Sequence, residues 1–187
     1  MRLKKNLNLS LDQFINHSLY DKKSGYYIKK NPFGKKGDFI TAPNISRLFS
    51  EMISVWTIAF WQSLGSPKKF NLVELGAGNG EMMKDIIETL QNFPNFFNSC
   101  NFMIHEKSPA LIKIQKKILK GNNITWLENI NNLKKRPSIF IANEFFDAIP
   151  IKQFIKLKKR WFEIYVGRKE NNKLFFFNNA KSKLAHL

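Results

Sequence analysis

The stretch FNLVELGAGNGEM, Phe70–Met82, decides the fold. Phe70 to Leu75 is a short apolar run that reads as a buried strand. Gly76, Gly78 and Gly80 follow, and from Glu81 the residues Met83, Ile86, Ile87 and Leu90 recur on one helical face. Strand, glycine turn and helix make the first half of a βαβ unit. Glycines are needed there because the chain turns tightly and a ligand must approach its backbone. A glycine loop alone is a weak signal, but a second strand, Phe102 to His105, ends at the carboxylate Glu106. Folds of this type place a ribose-hydroxyl acceptor at that point, about 20 residues on. Here the connection is longer because NFPNFFNSC, Asn92–Cys100, is inserted in it. Glycine loops for pyrophosphate read G-x-G-x-x-G. This one reads G-x-G-x-G, is preceded by the acid Glu74 and contains no lysine.

Further along, Ser108 and Pro109 form an N-cap and first-turn pair. The helix they open carries Leu111, Ile114, Ile118 and Leu119, and Gly121 closes it. A third strand spans Ile124 to Leu127, with Glu128 after it. The fourth lies in SIFIANEFFDAIPI, Ser138–Ile151: Ile139 to Ala142 reads as strand, then come Asn143, Glu144, two phenylalanines, Asp147 and Pro150. A strand-to-helix turn needs one polar cap, so three polar groups suggest a site. Strands alternating with helices imply a parallel sheet covered on both faces, an α/β fold. After Pro150 the pattern changes to antiparallel hairpin strands at Lys152 to Leu157, Trp161 to Val166 and Leu174 to Phe177.

Upstream, Ser10-x-x-Gln13 is a capping box opening a helix with Leu11, Phe14, Ile15 and Leu19 on one face. A loop punctuated by Gly25, Pro32, Gly34, Gly37 and Pro43 carries Tyr26, Tyr27, Phe33 and Phe39; an aromatic-rich loop usually packs over something. A long helix follows, Asn44 to Leu64, with Ile45, Leu48, Phe49, Met52, Ile53, Trp56 and Phe60 at helical spacing. That stripe reads as core. The expected organisation is an N-terminal helical and loop cover (1–66), a Rossmann-like core (67–151) and an antiparallel hairpin extension (152–187).

At 187 residues the expectation is one sizeable core, and 43% apolar content argues against wholesale disorder. The sole cysteine, Cys100, excludes a disulfide framework and a Cys-rich metal site. No apolar run is long enough to span a bilayer, and MRLKKNLNLSL at the N-terminus lacks the apolar core of a signal peptide. The expected setting is a reducing aqueous compartment: a bacterial cytoplasm or, as the alternative, a mitochondrial matrix. The net charge of +17, from 31 Lys plus Arg against 14 acids, offers two readings: an anionic partner such as RNA, or compositional bias. The basic residues are spread along the chain without interleaved aromatics, which favours bias and leaves RNA weakly supported. Nothing in the sequence bears on oligomeric state.

The acid-preceded loop resembles that of class I S-adenosylmethionine-dependent methyltransferases. Four stretches in order extend the likeness: GYYIKKNPFGKKGDFITAPNISRLFSEMI (Gly25–Ile53), LVELGAGNGEM (Leu72–Met82), HEKSPALIKIQ (His105–Gln115) and ANEFFDAIPIKQF (Ala142–Phe154). Together they resemble the MidA-like methyltransferase family over nearly the whole chain, from about Leu9 to Phe177. That family includes a mitochondrial complex I assembly factor that dimethylates an arginine of a protein substrate. The resemblance implies a Rossmann-like methyltransferase whose N-terminal segment folds over the cofactor. Family members run well beyond this length, so the resemblance also implies that the family's C-terminal half, and part of the sheet, is missing.

By this resemblance Gly76, Ala77, Gly78 and Gly80 line the S-adenosylmethionine site, Glu74 holds the loop and faces the aminoacyl end, and Glu106 takes the ribose hydroxyls. Glu128 lies where this fold often puts an adenine-side polar group, with a solvated loop acid as the equal alternative. Gly37 and Asp38, with Thr41, belong to the GDFITAP motif expected near cofactor or substrate. Asn143, Glu144 and Asp147 are the candidate catalytic residues. Two carboxylates would grip the planar N–H fork of an arginine acceptor and localise its charge away from the attacking nitrogen. Phe145 and Phe146 read as core packing, and His105 as a buried, satisfied histidine rather than a base. The alternatives are a small-molecule or RNA methyltransferase, or a non-catalytic basic assembly module.

Overall fold

The computed structural model describes residues 8–29, 32–34, 37–169 and 173–179. In chain order, β1 (Asn8–Ser10), α1 (Leu11–Tyr20), the one-turn α2 (Tyr26–Lys29), α3 (Ala42–Ile45) and α4 (Arg47–Ser63) come first. Next are β2 (Phe70–Leu75), α5 (Glu81–Leu90), α6 (Pro94–Ser99), β3 (Cys100–His105), α7 (Pro109–Ile118), β4 (Ile124–Leu127) and β5 (Ser138–Ile141). A 3-10 turn (Phe146–Ala148) precedes β6 (Phe154–Leu157), β7 (Arg160–Arg168) and β8 (Leu174–Asn179). The chain divides into two compact units. One runs from residue 32 to Phe146. The other joins residues 8–29 to those from Asp147 to Asn179. The sequence reading instead groups residues 1–66 as a single cover. The difference arises because β1 pairs with β7, which ties the first described residues to the C-terminal hairpins.

The larger unit holds a parallel sheet in the order β4-β3-β2-β5. Every residue of β2 is buried, as a central strand of a doubly covered sheet requires. Glu74 stands in register with Ile104 on one side and Ile141 on the other. On α5, Met83, Ile86, Ile87 and Leu90 are buried where the helical period places them. The segment that lengthens the connection between α5 and β3 contains α6: Pro94 starts the helix, and Phe96 packs edge-on against Phe70 and Trp61.

The long helix departs from the sequence reading in two ways. It is broken at Ser46, whose extended backbone separates α3 from α4 and whose Oγ accepts the Leu48 N–H. Its buried face is also the opposite one. Ser50, Ser54, Thr57 and Trp61, spaced i, i+4, i+7 and i+11, are buried, and α4 packs on α5. The Ser54 and Thr57 hydroxyls donate to the carbonyls of Ser50 and Ile53, at 2.8 and 2.7 Å, so these two hydroxyls are satisfied inside their own helix. The stripe read as core is largely exposed, Ile45 to 74%, Leu48 to 61% and Met52 to 59%; only Phe49 and Ile53 lean on the core. Periodicity separates two faces of a helix but does not say which one meets a neighbour.

In the smaller unit β7 is the spine. Glu163 stands in register with Phe154 of β6 and Asn179 of β8, and Tyr165 with Ser10 of β1 and Phe177 of β8. So β6 and β1 follow one another along one edge of β7, and β8 takes the other. All three pairings are antiparallel, as the hairpin pattern predicts. At the start of α1 the Ser10 N–H donates to Gln13 Oε1 at 3.2 Å. Lys152 Nζ bridges the buried Glu163 (2.7 Å) and Asp12 (3.2 Å). No helix among the described residues is long and apolar enough to cross a membrane.

Candidate functional site

The site sits at the carboxyl ends of β2 and β5, where open α/β sheets bind their ligands. After Leu75 the backbone takes left-handed conformations at Gly76 (φ 68°) and Gly78 (φ 53°). At Gly76 a side chain is doubly excluded. Its Cβ would lie 2.6 Å from a ring carbon of Phe145, and L-residues pay about 1–2 kcal/mol for this φ. The Gly76 N–H donates to the His105 carbonyl (2.9 Å), which pins the loop to the end of β3. Gly80 is the N-cap of α5, and its N–H donates to the Ala77 carbonyl (2.8 Å). Beside the loop is an open hollow, lined among others by Phe33, Glu74, Gly76, Gly78, Asn143 and Glu144.

Glu74 is the unusual group. It is 2% exposed, in the middle of the sheet, and its Oε2 has no hydrogen-bond partner among the described residues. Burial, aided by the nearby Glu106 carboxylate, pushes its pKa up to about 8. An unpaired buried carboxyl facing a hollow is costly unless something cationic completes it. Glu106 also sits above the usual carboxylate range because of burial, opposed by the hydrogen bonds it accepts. Its Oε1 takes the Ser108 N–H at 2.9 Å, and its Oε2 lies 3.4 Å from Gln115 Nε2.

The structure brings Glu74, Gly76, Ala77, Gly78, Asn143, Glu144 and Thr41 to one hollow. Glu144 has a left-handed backbone (φ 50°), a strained state that clusters at functional sites when the surroundings hold it. Asp147 is exposed, on the one-turn helix where the other unit begins. Glu128 is exposed after β4 and is not a lining residue of this hollow. Gly37 donates its N–H to the Gly34 carbonyl (2.8 Å) in a turn, and Asp38 is exposed beside it; neither lines the hollow. Phe145 is half-buried against Gly76 and the small cluster of Val73, Leu75 and Leu127, whereas Phe146 is 68% exposed and so is not core. His105 Nδ1 lies 2.9 Å from the Leu127 carbonyl, a satisfied histidine in β3. Sequence reasoning did not single out Phe33 as a lining residue. Its ring stands in van der Waals range of a Cβ at Gly78, and its one signal was an aromatic in a glycine- and proline-rich loop.

This parallel sheet, with its glycine turn and the carboxylates Glu74 and Glu106 toward the strand ends, has a Rossmann-like methyltransferase fold. A crystal structure of a COG1565 superfamily member from Burkholderia thailandensis bound to S-adenosyl-homocysteine matches it with a TM-score of 0.78 at 22% identity. The match covers 96% of this chain and 48% of that one. A family model described as "Putative S-adenosyl-L-methionine-dependent methyltransferase" matches residues 52–186. The chain belongs to this family, the MidA-like methyltransferases. Among curated relatives, the mitochondrial protein arginine methyltransferase NDUFAF7 of Xenopus tropicalis is 34% identical over 182 residues, 84% of this chain and 42% of the relative. The Danio rerio protein of the same name is 32% identical over 202 residues, 95% and 48% respectively, and the human one 30% over 182 residues, 84% and 41%. The chain thus spans less than half the length of the curated relatives it matches.

Proposed function

We propose that this chain carries the S-adenosylmethionine-binding part of a protein arginine methyltransferase of the kind linked to complex I assembly. The observation that carries the reading is Glu74, a buried carboxyl beside a left-handed glycine loop, one of whose oxygens has no partner among the described residues. The residues fit the cofactor: the loop has no lysine, as a phosphate-free ligand allows, and Glu74 offers an anion to an ammonium group. Gly76, Ala77 and Gly78 would let the ligand approach the backbone, and Glu106 would accept its ribose hydroxyls. When bound, S-adenosylmethionine supplies an electrophilic methyl group on a sulfonium.

Asn143 and Glu144, which line the hollow, are the proposed acceptor-side groups, and the motif names Asp147 as a further candidate carboxylate. Their part is to orient a guanidinium through its N–H fork and to keep its positive charge away from the nitrogen that attacks. Arginine as the acceptor rests on the activity for which the relatives are named and on this acid-rich motif. The proposed setting is a bacterial cytoplasm or a mitochondrial matrix; the named relatives are mitochondrial.

Calorimetric titration of the folded chain with S-adenosylmethionine tests the reading. Binding is expected, lost in Gly78→Val and weakened in Glu106→Ala. Methyl transfer to arginine peptides is expected to fall about a hundredfold in Glu144→Gln, with binding kept. A folded sample that releases no heat would sink the proposal. Transfer to RNA instead of protein would move it to the runner-up acceptor.

A further inference from the structure

Gln115 is fully buried on α7, on the same face as Leu111, and sequence reasoning passed over it. Its side-chain amide touches three segments. The Trp126 Nε1–H on β4 donates to Gln115 Oε1 at 3.0 Å. Gln115 Nε2 donates to the Gly78 carbonyl at 2.9 Å and lies 3.4 Å from Glu106 Oε2. The orientation is forced: an indole N–H only donates, so Oε1 must face Trp126, and both amide hydrogens then face acceptors. The contact is steric as well. A Cβ on Gly80 would meet Gln115 Cγ at 3.3 Å, so the end of the loop rests on the same side chain. One amide therefore joins the glycine loop after β2 to the carboxylate after β3, with β4 fixing its direction.

We infer that Gln115 is a positioning residue that sets the distance and angle between the glycine loop and the Glu106 carboxylate, and so orients that carboxylate toward the ribose hydroxyls of an adenosyl ligand. The inference rests on the proposed reading of the loop and Glu106 as the cofactor site. It does not make Gln115 a ligand contact. The Ser108 and Lys107 N–H groups and the Gln115 amide take three of the roughly four acceptor sites of the carboxylate, which leaves about one for a ribose hydroxyl.

The test is calorimetric affinity for S-adenosylhomocysteine and for its 2′,3′-dideoxy analogue, measured on the whole chain, Gln115→Leu, Trp126→Phe, Glu106→Gln and the Gln115→Leu/Glu106→Gln double variant. Gln115→Leu is expected to weaken the hydroxyl-bearing ligand about tenfold. It should leave the dideoxy ligand unchanged and add nothing to Glu106→Gln. Trp126→Phe frees the amide to turn and should shift affinity the same way by less; it decides the matter if Gln115→Leu does not fold. Equal losses for both ligands, or additive losses in the double variant, would show Gln115 to be mere packing and overturn the inference. If the unaltered chain binds neither ligand, the cofactor reading falls and takes the inference with it. If it binds both normally and the pattern is absent, the inference falls alone.

Discussion

At the scale of the residue, Glu74 makes the strongest commitment. A carboxyl with a higher pKa in the fold than in the unfolded chain binds its proton more tightly when folded. The stability it contributes is present below the ordinary value of 4.5 and is lost as pH rises toward about 8. Between those values the slope is up to about 1.4 kcal/mol per pH unit. Urea melts from pH 5 to 8 should show stability falling with pH in the native chain and falling less in Glu74→Gln, which becomes the more stable of the two at pH 8. Parallel curves would mean that the carboxyl is not held as described. The same proton matters to the ligand. An ammonium group pairs with the ionised form, so affinity should rise with pH over this window and binding should release a proton.

At the scale of the element, the turn between β2 and α5 carries the fold. Gly76→Ala should destabilise by about 2 kcal/mol or more, from the left-handed backbone and the Phe145 ring together. In a double variant with Phe145→Ala the ring part of that cost should vanish and the backbone part of about 1–2 kcal/mol should stay. A cost unchanged by removing the ring would show that the loop avoids it. This element was also the most legible in the sequence. An apolar run, three glycines and a 3.6-residue period act locally, and β2, α5, β3, α7 and β4 followed from such signals. Other features depend on contacts between distant residues. The pairing of β1 with β7, the buried amide of Gln115 and the exposure of Phe146 each need a partner that a local pattern does not name. Glu128 is placed by its position after β4 and Asp38 by its motif, and neither signal fixes which way an exposed loop faces.

At the scale of the whole molecule, the apolar stripe of α4 is the surface to explain. Met52 and Trp56 are both more than half exposed, Trp56 stacks on Phe60 at 5.3 Å, and β5 pairs only with β2 among the described strands. Apolar surface of this kind marks interaction or aggregation sites. Met52→Glu and Trp56→Glu should change unfolding stability by no more than about 0.5 kcal/mol, while lowering binding of a hydrophobic dye and any self-association. Had the stripe been core, a polar residue there would cost at least the roughly 2–5 kcal/mol of a truncation. Urea melting of the two variants separates these cases.

The pairing of β1 with β7 has a consequence for the order of assembly. Asn8 meets Gly167 and Ser10 meets Tyr165. The N-terminal strand therefore leaves the ribosome long before its partner exists. The unit ending at Phe146 has its four described strands by then and can collapse first, as domains do during synthesis. Strand β1 is then among the last of the described elements to find its place, and among the described strand pairings this one spans the longest stretch of sequence.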